Sequence, residues 1–166
     1  MRYLFKHVLL RDVAYDIQLH SRLRELHRRA AEAIKTLYAD ELAPYYADLA
    51  YHYGQAEMRE QERHYAFLAG KQAASEYANE AAVRFLSRAL ELTPESDREG
   101  WCRILAVRER IYDLQGYRDA QRKDLQMLLV LAKGENKAKM VLRQAHYAEI
   151  VGNYTGAVSF AQRAVQ

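Results

Sequence analysis

The sequence contains one stretch that comes close to a phosphate-binding loop, Gly70-Lys71. In such a loop the glycine before the lysine follows another glycine by five residues, and a serine or threonine comes directly after the lysine. The backbone amides of the loop then bind the phosphate. Tyr65 and Gln72 stand at those two positions. The stretch also lies within a helical pattern, where a glycine usually marks the close approach of a neighbouring helix. We therefore predict helix packing as the role of Gly70, and no cofactor.

Histidine and cysteine, which often ligate metals or take part in catalysis, are scattered along the chain. His20 and His27 are seven residues apart and can share a helix face, but a metal site needs a third or fourth ligand at a supporting spacing. His52 stands between two tyrosines, which favours a packing role over that of a catalytic base, and Cys102 is remote from all of these. No serine or cysteine has the sequence context of an activated nucleophile. The sequence thus predicts no catalytic residue, no metal site and no enzymatic activity.

The charges of the chain are nearly balanced, with 25 basic and 22 acidic side chains and a net charge of +3. A basic helical segment at 22–29 could contact phosphates, but Glu25 and Glu32 favour a solvated face instead. No apolar run approaches the ~18 residues of a membrane span. The single cysteine excludes an intrachain disulfide, as is usual in a reducing cytoplasm. We expect a cytoplasmic location, and neither a membrane nor nucleic acid as partner.

Apolar residues recur at helical spacing along almost the whole chain. Leu23 and Ala30 belong to one such stripe, and Ser21 is the predicted N-cap at its start. Gly100 and the stretch 134–136 are predicted connections between helices. The helices predicted after residue 44 include 59–75, 79–93, 101–115, 117–133, 137–151 and 154–166.

A pattern of small residues recurs in the second half of the chain. A glycine closes one helix, an aromatic residue lies in the turn, and an alanine comes early in the next helix. Ala82, Ala120 and Ala157 hold that alanine position, 38 and 37 residues apart. A period of this length is the signature of stacked helical units, in which small residues let two helices approach closely, so we expect these alanines to be buried. The residues with predicted packing roles are Gly70, Ala82, Ala89, Pro94, Gly116, Ala120, Gly152, Tyr154, Ala157 and Ala164.

These residues resemble the tetratricopeptide repeat, a helical hairpin of about 34 residues. The resemblance is best at 63–96, holds at 138–166 and is weakest in the middle repeat, where Asp124 falls at a position that is usually apolar. It implies an all-α fold, a superhelix of antiparallel hairpins with seven or eight helices. The first helix of each hairpin would line a concave face.

The first part of the chain resembles a different kind of segment. The stretches 5–15, 24–29 and 49–53 are similar to the junction between the nucleotide-binding module and the repeat array of large bacterial signal-transduction ATPases. This resemblance implies junction helices over 1–40, a repeat array over 41–166, and a regulatory, non-catalytic interaction domain. Such ATPases are often joined to adenylate or guanylate cyclase domains or to helix-turn-helix regulator domains. The alternative function is therefore that of the effector-sensing part of a transcriptional activator.

Partners of such arrays usually bind the concave face. The resemblance therefore implies a protein or peptide partner, with the ATPase core of the parent chain as one candidate. The last helix also presents an apolar stripe that includes Val158 and Val165, so we expect self-association through the C-terminal helices. The candidate contacts on the first helices of the hairpins, which are of mixed charge, are Lys71, Glu109, Tyr112, Asp113, Arg143, His146 and Glu149.

Overall fold

A computed structural model describes the backbone of residues 8–164 and the side chains of residues 19–134 and 136–164. In this part of the chain all regular secondary structure is helical, which confirms the predicted all-α class. The side chains of the motif at 5–15 and of Val165 lie outside it. The elements are α1 (Val8–Leu37), a 3₁₀ helix (Ala43–Tyr45), α2 (Tyr46–Gln55), α3 (Arg59–Ser75), α4 (Asn79–Leu92), α5 (Arg98–Gln115), α6 (Arg118–Leu131), α7 (Gly134–Ile150) and α8 (Tyr154–Ala164).

Three predicted helix boundaries are wrong. Ser21 caps no helix, because α1 runs through it without a break and no glycine or proline interrupts that stretch. Gly100 lies in the first turn of α5, where its N–H donates to Oδ1 of the N-cap residue Asp97 over 2.8 Å. The stretch 134–136 is the start of α7 instead of a turn. In each case the helix includes a residue whose type suggested a helix boundary.

Four of the turns between helices have the same hydrogen-bond pattern. One residue takes the left-handed conformation, its N–H donates to the carbonyl three residues back, and the next N–H donates to the carbonyl five residues back. This pattern is the Schellman motif, and the next helix always begins two residues after the left-handed one. The left-handed residues are Glu57 (φ 57°), Tyr77 (φ 59°), Gly116 (φ 72°) and Gly152 (φ 78°).

The two turns at Gly116 and Gly152 follow the glycine pattern of the sequence, whereas those at Glu57 and Tyr77 have no glycine to mark them. A non-glycine residue in the left-handed conformation costs roughly 1–2 kcal/mol, which the capping hydrogen bonds of the motif offset. The repeated turn also gives the hairpins a common register. Residues of different hairpins hold equivalent positions when they lie at the same distance along the chain from the left-handed residue.

The chain forms two compact units that divide between Ala69 and Gly70, inside α3. In the first unit α1 packs against α2, and Leu49 and Tyr53 of α2 are completely buried. In the second unit each helix from α4 to α8 packs against the next one. The domain boundary predicted at residue 40 stays a prediction. The largest fully buried apolar side chains of the second unit are Leu86, Leu105, Leu125 and Leu128.

Gly70 lies at a close approach of α3 and α4. A Cβ atom at this position would be 2.7 Å from Cγ of Leu86 and 3.2 Å from its backbone nitrogen, which confirms the predicted packing role. Ala82 and Ala89 of α4 are completely buried, as expected. This hairpin therefore has the small-residue packing that its sequence indicates.

Ala120 and Ala157 are only partly buried, so the prediction of burial is wrong for both. The N–H groups of Ala82, Gln121 and Ala157 all donate to the carbonyl of the residue directly after the left-handed one. Gln121, and not Ala120, therefore holds the register position of Ala82, because the alanine pattern slips by one residue in the middle hairpin. Ala157 is in register, but α8 has no buried residue in its described part. The packing role predicted for Tyr154 is wrong for the same reason, since its side chain is 70% exposed.

Replacing Ala82 by leucine should lower the free energy of unfolding by roughly 1–3 kcal/mol, because the larger side chain overpacks a completely buried site. Urea denaturation followed by the fluorescence of Trp101, the single tryptophan, will report this change from within the same unit. Ala161→Leu on the exposed face of α8 is the matched control and should have little effect. Equal losses in the two variants would contradict the placement of Ala82.

Candidate functional site

Three helices of the second unit meet at the carboxylate of Glu109 on α5, which is completely buried. Gln121 of α6, only 1% exposed, donates from Nε2 to Oε1 of Glu109 over 2.9 Å. Arg143 of α7 donates from Nε to Oε2, and its Nη2 contacts the same oxygen. The buried negative charge is thus paired with a guanidinium and an amide, which offsets the loss of its hydration.

The register shows what this carboxylate replaces. Glu109 lies seven residues before the left-handed residue of its turn, the position that Gly70 and Ala145 hold in other hairpins. Gln121 likewise holds the position of Ala82. The middle hairpin therefore replaces a pair of small residues by a hydrogen bond between two buried polar side chains.

A second ion pair joins α5 and α6 close by. Arg108 donates from Nε and Nη2 to the two carboxylate oxygens of Asp124, over 2.8 and 2.7 Å, and from Nη1 to Oγ of Ser87 on α4. The side chains of Arg108 and Asp124 are only 15% and 6% exposed. Burial opposes the charge on Arg108, but the hydrogen bonds and charge of Asp124 outweigh it and raise the pKa of the guanidinium.

Asp124 interrupts an aromatic series. Tyr65, Phe85 and Phe160 stand eight residues after the left-handed residue in the other hairpins, where the middle one has Asp124. The sequence identifies Asp124 as a departure from the repeat but does not identify Arg108 as its partner. The acidic residue at a position that is apolar in the other hairpins is the sequence signal for such a partner. A buried carboxylate needs a basic group on a facing helix, which here is Arg108.

Asp113 lies about one turn after Glu109 on α5, at the edge of the network. Arg118 donates from Nη1 to Oδ1 of Asp113 over 2.7 Å and also to Oε1 of Gln121. Burial opposes the ionisation of Asp113, but hydrogen bonds from Arg118 and Gln121 and the charge of His146 outweigh it and lower its pKa. Glu109 pairs with Gln121, and Asp113, further along α5, pairs with Arg118, which comes earlier in α6. The two helices therefore run antiparallel.

Four charged or titratable side chains on α5 and α7 form a partly exposed group on the solvent side of Glu109. We call this group the α5–α7 surface, and its residues are Asp113, Arg143, His146 and Glu149. His146 lies 3.9 Å from a carboxylate oxygen of Asp113 and 3.9 Å from one of Glu149. Exposure rises outward, from 20% and 25% for Asp113 and Arg143 to 57% and 67% for His146 and Glu149. The surface thus has a fixed inner part and an open outer part.

The other predicted contact residues have different surroundings. Glu109 is wrong as a partner contact, because a completely buried carboxylate cannot touch another molecule; its role is to hold Arg143. The Tyr112 ring is half-buried, lies 5.7 Å from the guanidinium of Arg108, and is not part of the α5–α7 surface as defined. Lys71 is exposed on α3.

Within the part of the chain that the structure describes, no three His, Cys, Asp or Glu side chains are placed to hold a metal ion together. None of the helices there combines the length and the apolar character needed to cross a bilayer. Burial raises the pKa of the Cys102 thiol, which favours the protonated form over the reactive thiolate.

No protein-family model matches this chain, and no curated protein matches it either.

Proposed function

We propose that the chain is a non-catalytic interaction module, a stack of helix hairpins similar to tetratricopeptide repeats, whose α5–α7 surface binds a protein or peptide. The observation that carries this proposal is the buried charge network. Glu109 holds Arg143, and Gln121 and Arg118 hold Asp113, so the inner charges of the surface are fixed before a partner arrives. Side chains that are already ordered lose less conformational entropy on binding.

The charges of the surface favour a polar partner with groups of both signs. Arg143 and Asp113 already pair with groups of their own chain, while His146 and Glu149 are more than half exposed. A uniformly acidic peptide would meet two carboxylates here, and like charges across an interface disfavour binding. A segment that offers one acidic and one basic group would match the arrangement better.

We further propose that the chain is a regulatory part of a larger cytoplasmic signalling ATPase, whose ATPase core is the first candidate partner. The resemblance of the stretches 5–15, 24–29 and 49–53 to the junction in such ATPases supports this. A second copy of the chain is another candidate, because Tyr154 and Val158 of α8 are 70% and 58% exposed.

Site-specific photocrosslinking in the organism that makes the protein tests the interaction surface. A photoreactive phenylalanine at position 146, on the open part of the surface, should give one discrete adduct. The same residue in place of Gln126, exposed on α6, is the matched control and should not give that adduct. Mass spectrometry of the adduct then shows whether the partner is an ATPase core, a second copy or another protein.

The proposal also predicts how the adduct responds to charge. His146→Glu combined with Glu149→Lys changes only exposed side chains, so the fold should persist by circular dichroism while binding of the partner weakens. Equal crosslinking at 146 and 126, or binding that is unchanged in the double variant, would contradict a role for this surface.

A further inference from the structure

In the first unit, the described part of α1 contributes few buried apolar side chains to its contact with α2. Among the α1 side chains described, at 19–37, only Ala31 is buried. This described stretch therefore has little of the hydrophobic burial that usually holds a helix in place, and polar contacts contribute more of its attachment. The leucines of this stretch that remain exposed are Leu19, Leu23, Leu26 and Leu37.

Three polar contacts in the described residues join α1 to α2 and to the turn that follows it. The first and the last are a salt bridge and a hydroxyl–carboxylate hydrogen bond. The middle one joins two imidazole rings and therefore depends on pH. The contacts are Arg24 Nη1 to Glu57 Oε2 (2.5 Å), His27 Nδ1 to His52 Nδ1 (2.9 Å) and Tyr53 Oη to Glu32 Oε1 (2.6 Å).

The histidine pair needs one proton between its two facing nitrogens. At 2.9 Å, one Nδ1 must carry a proton and donate it while the other accepts. When both rings are protonated, two positively charged N–H groups face each other and the hydrogen bond is lost. His27 also lines an open cavity of about 470 Å³ beside this contact, so water can exchange protons with the pair.

The charged groups around the two histidines leave the hydrogen bond between them dependent on pH. From α1, His20 and Arg24 line the same cavity, and Glu57 neutralises Arg24. From α2, Tyr51 contacts the His27 ring edge to face, and Asp48 favours the protonated form of His52. Burial and the charge of His27 act more strongly in the opposite direction, so the pKa of His52 is lowered from its ordinary value of 6.5.

We propose that the His27–His52 contact is an acid-sensitive attachment of α1, which holds the helix on α2 at neutral pH and releases it when both rings are protonated. The inference stands apart from the proposed binding function, because it rests on the first unit alone. It gives the N-terminal helix a regulated position, and release would expose the α2 surface that it covers.

The direction of the pH dependence follows from linkage. Docking lowers the pKa of His52, and release returns it to its ordinary value. Below pH 6.5 the released state therefore binds more protons than the docked one. The contact contributes its full stability above that pH and loses it progressively as the pH falls.

Amide hydrogen exchange of the whole chain, in the presence of a chelator, tests the inference. After correction for the intrinsic rate, amides of α2 and of residues 19–37 should exchange up to about tenfold faster at about pH 5 than at about pH 7.5, the factor that the loss of one hydrogen bond provides. Amides of α5 and α6, in the other unit, should not change in this way. Ring ¹⁵N spectra at the higher pH should show one of the two histidines protonated at Nδ1.

Matched variants separate the pair from other titrating groups. His27→Gln combined with His52→Gln keeps an uncharged hydrogen bond between the helices, and the extra exchange at low pH should disappear. His20→Gln, on the rim of the same cavity, should keep it. Exchange in the parent that does not respond to pH, an undiminished response in the double glutamine variant, or two rings both protonated only at Nε2 would overturn the inference. A protective effect of added Zn²⁺ in chelator-free buffer would likewise overturn it, in favour of a shared metal ion.

Discussion

Replacing Asp124 by alanine will lower the free energy of unfolding by about 3–5 kcal/mol, the range found when one partner of a buried ion pair is removed. Arg108 then keeps a guanidinium that is only 15% exposed and has lost both hydrogen bonds to a carboxylate. Its remaining described hydrogen bond, to Ser87, does not neutralise the charge. Urea denaturation followed by Trp101 fluorescence and far-ultraviolet circular dichroism will measure the loss.

The matched control removes both charges at once. Arg108→Met combined with Asp124→Phe restores the aromatic residue of the register and fills the space of the arginine stem with an apolar chain. Buried ion pairs replaced in this way are often neutral or stabilising, so the double variant should be at least as stable as the parent. A double variant as unstable as Asp124→Ala would show that the pair has a packing role that apolar groups cannot replace.

Replacing Arg143 by methionine should cost about 3 kcal/mol, since it leaves the completely buried carboxylate of Glu109 without its cation. The arginine is itself 25% exposed, so water can partly replace it and the effect should fall near the lower end for such pairs. The same denaturation experiment applies, because both residues lie in the unit that contains Trp101.

Glu109→Gln provides the control for this second change. In the Arg143→Met background it removes the unpaired charge, while its amide oxygen can still accept the hydrogen bond from Gln121. Most of the lost stability should return in the double variant. If the double variant stays as unstable as Arg143→Met alone, the arginine stabilises the hairpin through packing and not through its charge.

These two experiments also bear on the proposed interaction surface. Arg143 belongs both to the buried network and to the α5–α7 surface, so its loss should weaken stability and partner binding together. His146 and Glu149 belong to the surface alone, and changes there should affect binding without a comparable loss of stability. The contrast between the two kinds of residue distinguishes a supporting role from direct contact.

Local sequence patterns predict most of the helices and two of the four repeated turns. The period of apolar residues places the helices from α3 to α8 within three residues of their observed ends, because a helix that buries one face must repeat its apolar residues every three to four positions. Gly116 and Gly152 mark left-handed turns, because glycine adopts that conformation without strain. Gly70 and Ala82 are likewise placed correctly at a helix contact.

Tertiary structure decided two left-handed turns and one buried position that no local sequence pattern marks. Tyr77 and Glu57 take the left-handed conformation only because helices on both sides and the capping hydrogen bonds hold them there. Gln121, and not Ala120, holds the buried position of Ala82 in the middle hairpin. Neighbouring residues of a helix point about 100° apart, so a shift of one residue decides which of the two is buried. Glu109 accepts a hydrogen bond from the buried Gln121, which offsets the lost hydration of its amide.

The charge network and the histidine pair depend on contacts between residues that are far apart in the sequence. Arg143 reaches Glu109 across 34 residues, and His52 meets His27 across 25. Periodicity assigns each of these residues to a helix but does not say which side chain of another helix it will face. That choice depends on how the helices pack, because a buried charge or a shared proton is stable only where the folded chain brings its partner within hydrogen-bond distance.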